Sequence, residues 1–145
     1  MNVNISNLDK NREHWASIDG YSNYEVSWFG RVWNMDTGRI LKGIADADGY
    51  LKVNLSKNGI AKIHYIHQLV AREWVSNPEE KRCVDHMDND RTNNNWKNLR
   101  WATIAENNRN RCKGSNTSSI YKGVSFHKKS NKWVASVKIN RKLKH

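Results

Sequence analysis

Glycine, asparagine and aspartate cut this chain into short pieces, and that punctuation limits what it can build. Asp19-Gly20, Ser22-Asn23, Gly30, Asp36-Thr37-Gly38, Asp46-Ala47-Asp48-Gly49 and Lys57-Asn58-Gly59 follow one another closely in the first part of the chain. Such residues make turns because they adopt positive φ or hydrogen-bond to their own backbone. The stretches between them are strand-sized. Tyr24–Ser27, Arg31–Asn34, Ile40–Leu41 and Tyr50–Leu55 read as short strands, and Asn58-Gly59 signals a hairpin onto Lys62–Ile66. His67–Val75 has apolar residues at 69, 70, 74 and 75, which suits one face of a short helix, and Pro78 stops it. The expected class is α+β, made of small antiparallel hairpins with few helices.

The second half continues in the same style. Residues 81–86 read as a strand, 87–97 as an Asn/Asp-rich loop and 98–101 as the returning strand. Thr103-Ile104-Ala105-Glu106 fits the S/T-x-x-E capping box, so a helix is expected from Thr103 to Lys113. Residues 114–119 have linker composition. Beyond them, Tyr121–Phe126 and Lys132–Ile139 read as strands around a turn at Lys128–Asn131.

Composition narrows the class of function. At 145 residues the chain fits one or two small domains. It has no apolar run of about 18 residues and no secretory leader pattern, which argues against a membrane span or export. Cys83 and Cys112 form no C-x-x-C pair, so a structural zinc site is not expected and a reducing, cytoplasmic compartment is. The formal charge of +11 is unevenly placed: residues 1–106 hold 14 Lys/Arg and 14 Asp/Glu, whereas 107–145 hold 11 Lys/Arg and no acid. A basic block that also carries Tyr121, Phe126 and Trp133 points to a folded segment facing a polyanion.

The chemistry-bearing residues gather in 83–113. Asp85 and His86 end the first strand, Asn98 begins the second, and Asn107 lies in the first turns of the helix. A β-hairpin packed on a helix can bring such groups around one point. Asp85 and the amide oxygen of Asn107 are hard donors suited to one Mg²⁺ or Mn²⁺. Histidine is the side chain suited to taking a proton from water near neutral pH. The Asn98 amide can hold the His86 ring in one tautomer. On spacing alone, the alternative remains open that His86 is a hydrogen-bonded strand-end residue and the asparagines are turn formers.

V-D-H-M-D-N-D-R-T-N-N-N-W-K-N-L-R-W-A-T-I-A-E-N (84–107) resembles the HNH homing endonucleases of phage introns and intergenic regions. The resemblance implies a ββα-metal nuclease core over 83–113, within a nuclease domain over 58–113. It makes His86 the general base, Asp85 and Asn107 the metal ligands, and Asn98 the residue that orients the base. H-Q-L-V-A-R-E-W-V (67–75) resembles the helix that precedes this motif, and His67 is read as structural because it opens a packing helix. W-A-S-I-D-G-Y-S-N-Y-E-V-S-W-F-G-R-V-W (15–33) resembles a small DNA-binding module fused ahead of such nucleases, here assigned to 13–57. Residues 120–145 resemble part of an Apetala-type DNA-binding sheet, and the chain stops at the start of its third strand. The expected function is a metal-dependent endonuclease acting as a monomer on double-stranded DNA, without a membrane, in the cytoplasm of a host cell. A non-catalytic DNA-binding derivative is the alternative, and the complete Asp85/His86/Asn98/Asn107 set argues against it. Candidate DNA contacts are Arg31, Arg39 and Lys42 in the first module and Arg109 and Arg111 on the helix. In the last segment they are Lys122, Lys128, Lys129, Lys132, Lys138 and Arg141.

Overall fold

The computed structural model describes residues 13–110, 118, 119, 121, 123–139 and 142–144. The chain divides after Asn110 into two compact units. The first opens with an antiparallel meander: β1 (Trp15–Ile18), β2 (Tyr21–Ser27), β3 (Val32–Asn34) and β4 (Arg39–Leu41). Val26 and Val32 face each other across β2 and β3 and are fully buried. Removing each from water contributes about 1.5–3 kcal/mol. The strand β1 was not expected from the sequence.

A second sheet follows, with β5 (Ile44–Ala45), β6 (Leu51–Lys57) and β7 (Ile60–Tyr65). Asn58 and Gly59 both take positive φ, +52° and +75°, as the expected two-residue hairpin requires. The 57/58 boundary drawn from the sequence falls at this turn. Val53 and Leu55 point inward and alternate with exposed Asn54 and Ser56. The helix α1 (Ile66–Trp74) buries Ile66, His67, Leu69, Val70 and Ala71.

The strands β8 (Cys83–His86) and β9 (Leu99–Ala102) pair antiparallel, with the 87–98 loop between them and a 3₁₀ turn at Trp96–Asn98. The helix α2 (Ile104–Asn110) starts at the expected capping box. Thr103 N donates to Glu106 Oε2 at 2.7 Å, and Glu106 N donates to Thr103 Oγ1 at 3.2 Å. The bonds from Thr103, backbone first, bring the Glu106 carboxyl down to about 2, with Lys81 adding to the effect. One apolar core connects these elements: Ile18, Tyr24 and Val26 of the first sheet, Leu55 of the second, Leu69 and Val70 of α1, and Val84 and Leu99 of the β8–β9 hairpin. The first meander and the β8–β9 hairpin are therefore packed on shared side chains.

In the second unit, β10 (Val124–His127) and β11 (Lys132–Ala135) form a hairpin around the expected Lys128–Asn131 turn. Phe126 and Trp133 face each other across it with ring centroids 5.2 Å apart. The single strand expected over 132–139 instead breaks at Ser136, whose N donates to Gly123 O at 2.8 Å. Then β12 (Val137–Ile139) pairs with β13 (Lys142–Lys144). Among the described residues, no helix is long and apolar enough to cross a membrane.

Candidate active site

Asp85 and His86 are neighbours in a strand, so their side chains leave it on opposite faces. Both are buried, Asp85 at 6 % and His86 at 4 % exposure. On one face, Asp85 is paired in register with Arg100 of β9. The guanidinium grips Asp85 Oδ2 with Nε at 3.0 Å and a terminal nitrogen at 2.7 Å. From α2, Asn110 Nδ2 donates to Asp85 Oδ1 at 3.2 Å and to the His86 carbonyl at 2.8 Å. A single amide thus ties both residues to the helix.

The motif pairs Asp85 with Asn107, but the structure hydrogen-bonds it to Asn110. Residues three apart share a helical face, so Asn107 lies one turn ahead of Asn110 on the same side. Spacing along the sequence could not say which of the two amides meets the carboxylate.

On the other face, the His86 ring is enclosed by the 87–98 loop and two aromatic neighbours. His86 Nε2 lies 3.1 Å from Asn94 Oδ1. An amide oxygen only accepts, so in the neutral ring this contact selects the Nε2–H tautomer and leaves the lone pair on Nδ1. The ring contact here is made by Asn94 and not by Asn98, the residue named for it by the motif. Asn98 instead staples the loop. Its Oδ1 accepts from Asp88 N at 3.1 Å, and its Nδ2 donates to Asp88 Oδ1 and to Asn93 O, both at 2.9 Å. Burial would raise the Asp88 carboxyl, but the Asn93 and Asn98 amides and Asp90 N outweigh it and hold it below its ordinary value.

His67 sits 5.1 Å from His86, centroid to centroid, with Tyr50 at 5.0 Å and Tyr65 at 5.6 Å on its other sides. Burial pushes its pKa down to about 4, and the nearby His86 adds to the effect. Its Nδ1 is buried without a partner among the described residues. Asp46 sets the tyrosine wall: Oδ1 accepts from Tyr50 N at 3.0 Å, and Oδ2 accepts from the Tyr65 hydroxyl at 3.0 Å. Arg91 stacks over the Tyr50 ring at 4.7 Å and bonds to the Asp48 carbonyl.

A cavity of about 460 Å³ opens beside the Asp85–Asn110 contact, lined by Lys81, Arg100, Trp101, Ala102, Glu106, Arg109 and Asn110. Lys81, Arg100 and Arg109 give it a basic lining suited to a phosphate, with Lys81 paired to Glu79 and Glu106 and Arg100 to Asp85. Of the other expected DNA contacts, Arg31 is already engaged. Its guanidinium grips Glu13 at 2.7–3.1 Å and lies over Trp15. Arg39 and Lys42 are exposed at β4, and Lys128, Lys129 and Lys132 are exposed around the β10–β11 turn. Lys138 lies in β12. Arg111, Lys122 and Arg141 lie outside the described residues.

The donors fit a hard divalent cation. Asp85 supplies a carboxylate, and the α2 face supplies amides whose oxygens can turn toward an ion. Among the described residues there is no group of three or more His, Cys, Asp and Glu that could hold a metal alone. A site of this kind is completed by water and phosphate, as is usual for Mg²⁺.

Residues 13–56 match the NUMOD4 motif, and residues 64–109 match the HNH endonuclease family. The DNA endonuclease I-HmuI of Bacillus phage SP01 is 40% identical over 90 residues, which is 61% of this chain and 52% of that protein. Two uncharacterized HNH endonucleases of Acanthamoeba polyphaga mimivirus, L245 and L247, are 37% and 41% identical over 100 and 106 residues. Those matches take in 69% and 70% of this chain but 30% and 26% of theirs. The chain thus spans about half the length of the phage relative and less than a third of the viral ones. A solved structure describing DNA binding and cleavage by the HNH homing endonuclease I-HmuI superposes with a TM-score of 0.64 at 39% identity, over 67% of this chain and 56% of that one. The mixed fold of few helices and small antiparallel sheets is that of this nuclease. Residues 64–109 are thus similar to HNH endonuclease domains, and residues 13–56 ahead of them to the NUMOD4 motif.

Proposed function

We propose that this protein hydrolyses phosphodiester bonds in double-stranded DNA as a homing-type HNH endonuclease that uses one Mg²⁺ or Mn²⁺. The observation that carries the reading is a buried histidine, next in sequence to a buried carboxylate, with Nε2 fixed by an amide oxygen. Nδ1 is then the atom that takes the proton from the attacking water. Asp85, with the amide oxygen of Asn107 or Asn110, would hold the ion. When bound, such an ion stabilises charge on the departing oxygen and the phosphate. Arg100 is ion-paired with Asp85 and lines the cavity where a DNA phosphate would seat. Asn98 shapes the loop that carries Asn94.

DNA contacts are assigned to Arg39, Lys42, Arg109 and the C-terminal hairpin with Lys128, Lys129 and Lys132. We read that hairpin as part of an Apetala-type sheet. The protein acts as a monomer on DNA, in the cytoplasm of a host cell. The test is cleavage of duplex DNA with Mg²⁺, with and without excess EDTA. EDTA should stop cleavage and leave most DNA binding intact, whereas full activity in EDTA would refute the one-metal reading.

A further inference from the structure

The turn between β2 and β3 reaches into the support of His86. Gly30 there takes φ +86°, a conformation that L side chains rarely adopt. A Cβ at Gly30 would lie 2.6 Å from Asn94 Cβ and 3.2 Å from Asn94 O. It would also meet Ile66 Cγ2 at 3.3 Å, so the neighbouring helix leaves no easy way to yield. Next to this contact, Trp96 N donates to Trp28 O at 2.8 Å, fastening the same loop to the same turn. Asn94 is 4 % exposed and bonds to the His86 ring at 3.1 Å. The order of contact is Gly30, Asn94, His86.

We infer that Gly30 and Asn94 are positioning residues for His86, so that the first module helps set the tautomer of the base as well as carrying DNA contacts. The inference rests on the reading of His86 as the general base. In the neutral ring, a bond to Asn94 Oδ1 needs the proton on Nε2 and leaves the Nδ1 lone pair for water. Gly30 lets the loop approach closely enough for Asn94 to reach the ring. A side chain at position 30 would push Asn94 outward while leaving Asp85, Arg100 and the α2 face untouched.

The experiment uses the whole 145-residue chain and two readouts. One is the ¹⁵N NMR signature of the His86 ring at alkaline pH. The other is single-turnover cleavage on saturating DNA, with DNA affinity measured alongside. The wild type should show the Nε2–H form. Asn94→Leu should populate the Nδ1–H form and slow cleavage by roughly 10- to 100-fold, the scale on which supporting partners act, with affinity nearly unchanged. Asn94→Asp restores an acceptor and should recover the Nε2–H form and most of the rate. Gly30→Ala should behave like Asn94→Leu. Gly20→Ala carries the same backbone strain, at φ +75° with nothing within 4 Å, and should keep both tautomer and rate. Wild-type tautomer or rate in Asn94→Leu, beside an inactive His86→Ala, would overturn the positioning role alone. An active His86→Ala would overturn the base assignment and the inference with it.

Discussion

Replacing His67 by phenylalanine should flatten the acid side of the stability profile. His67 lies inside the fold, walled by Tyr50, Tyr65 and His86. Burial, reinforced by the neighbouring His86 ring and opposed by Asp46, lowers its pKa from 6.5 to about 4. Above pH 6.5 the imidazole is neutral in folded and unfolded chains and adds no pH dependence. Between 6.5 and about 4 the unfolded chain binds a proton that the folded chain refuses, so stability falls as pH falls. Below that window both states are charged and this contribution stops changing. The shift corresponds to about 3 kcal/mol. Phenylalanine fills a similar volume and removes the buried, unpartnered Nδ1, so stability at neutral pH should be nearly kept. Urea denaturation of both proteins at several pH values from neutral to 4 measures the effect. The curves should diverge as pH drops, with the variant losing about 3 kcal/mol less. Parallel curves would refute the claim that this ring is held neutral by the fold.

Two further expectations concern charge. Changing Lys128, Lys129 and Lys132 together to glutamine should reduce the slope of log DNA affinity against log salt by up to about 2.7, since each phosphate contact contributes about 0.9. An unchanged slope would remove the C-terminal hairpin from the DNA interface. Arg31→Ala and Glu13→Ala should each cost about 1–3 kcal/mol, and the double variant less than their sum, because both break one charge-assisted pair. Denaturation of the double-mutant set checks this. Weakened DNA binding in Arg31→Ala at unchanged stability would return Arg31 to the DNA surface.

The features legible in the sequence were those set by local chemistry. Asn58-Gly59 closed its hairpin, Thr103 and Glu106 capped their helix, and α1 began within a residue of its expected start. What was not legible depended on contacts between distant segments. Asn94 stands in a run of three asparagines that all read as turn formers, and burial by Gly30 and the loop fold singles out one. Asn110 and Asn107 are equivalent by helical periodicity, and the β8–α2 packing decides which meets Asp85. Arg31 reads as a free cation until the sheet brings Glu13 beside it. Trp15–Ile18 lacks a clear alternation, and its strand exists because β2 offers an edge to pair with.

Single-turnover cleavage of duplex DNA, with Mg²⁺ and protein in excess over DNA, should be at least about 10²-fold slower in His86→Ala than in the wild type, the scale of a positioned proton acceptor. DNA affinity should remain close to that of the wild type. Equal cleavage rates for the two proteins would contradict the assignment of the buried ring as the base.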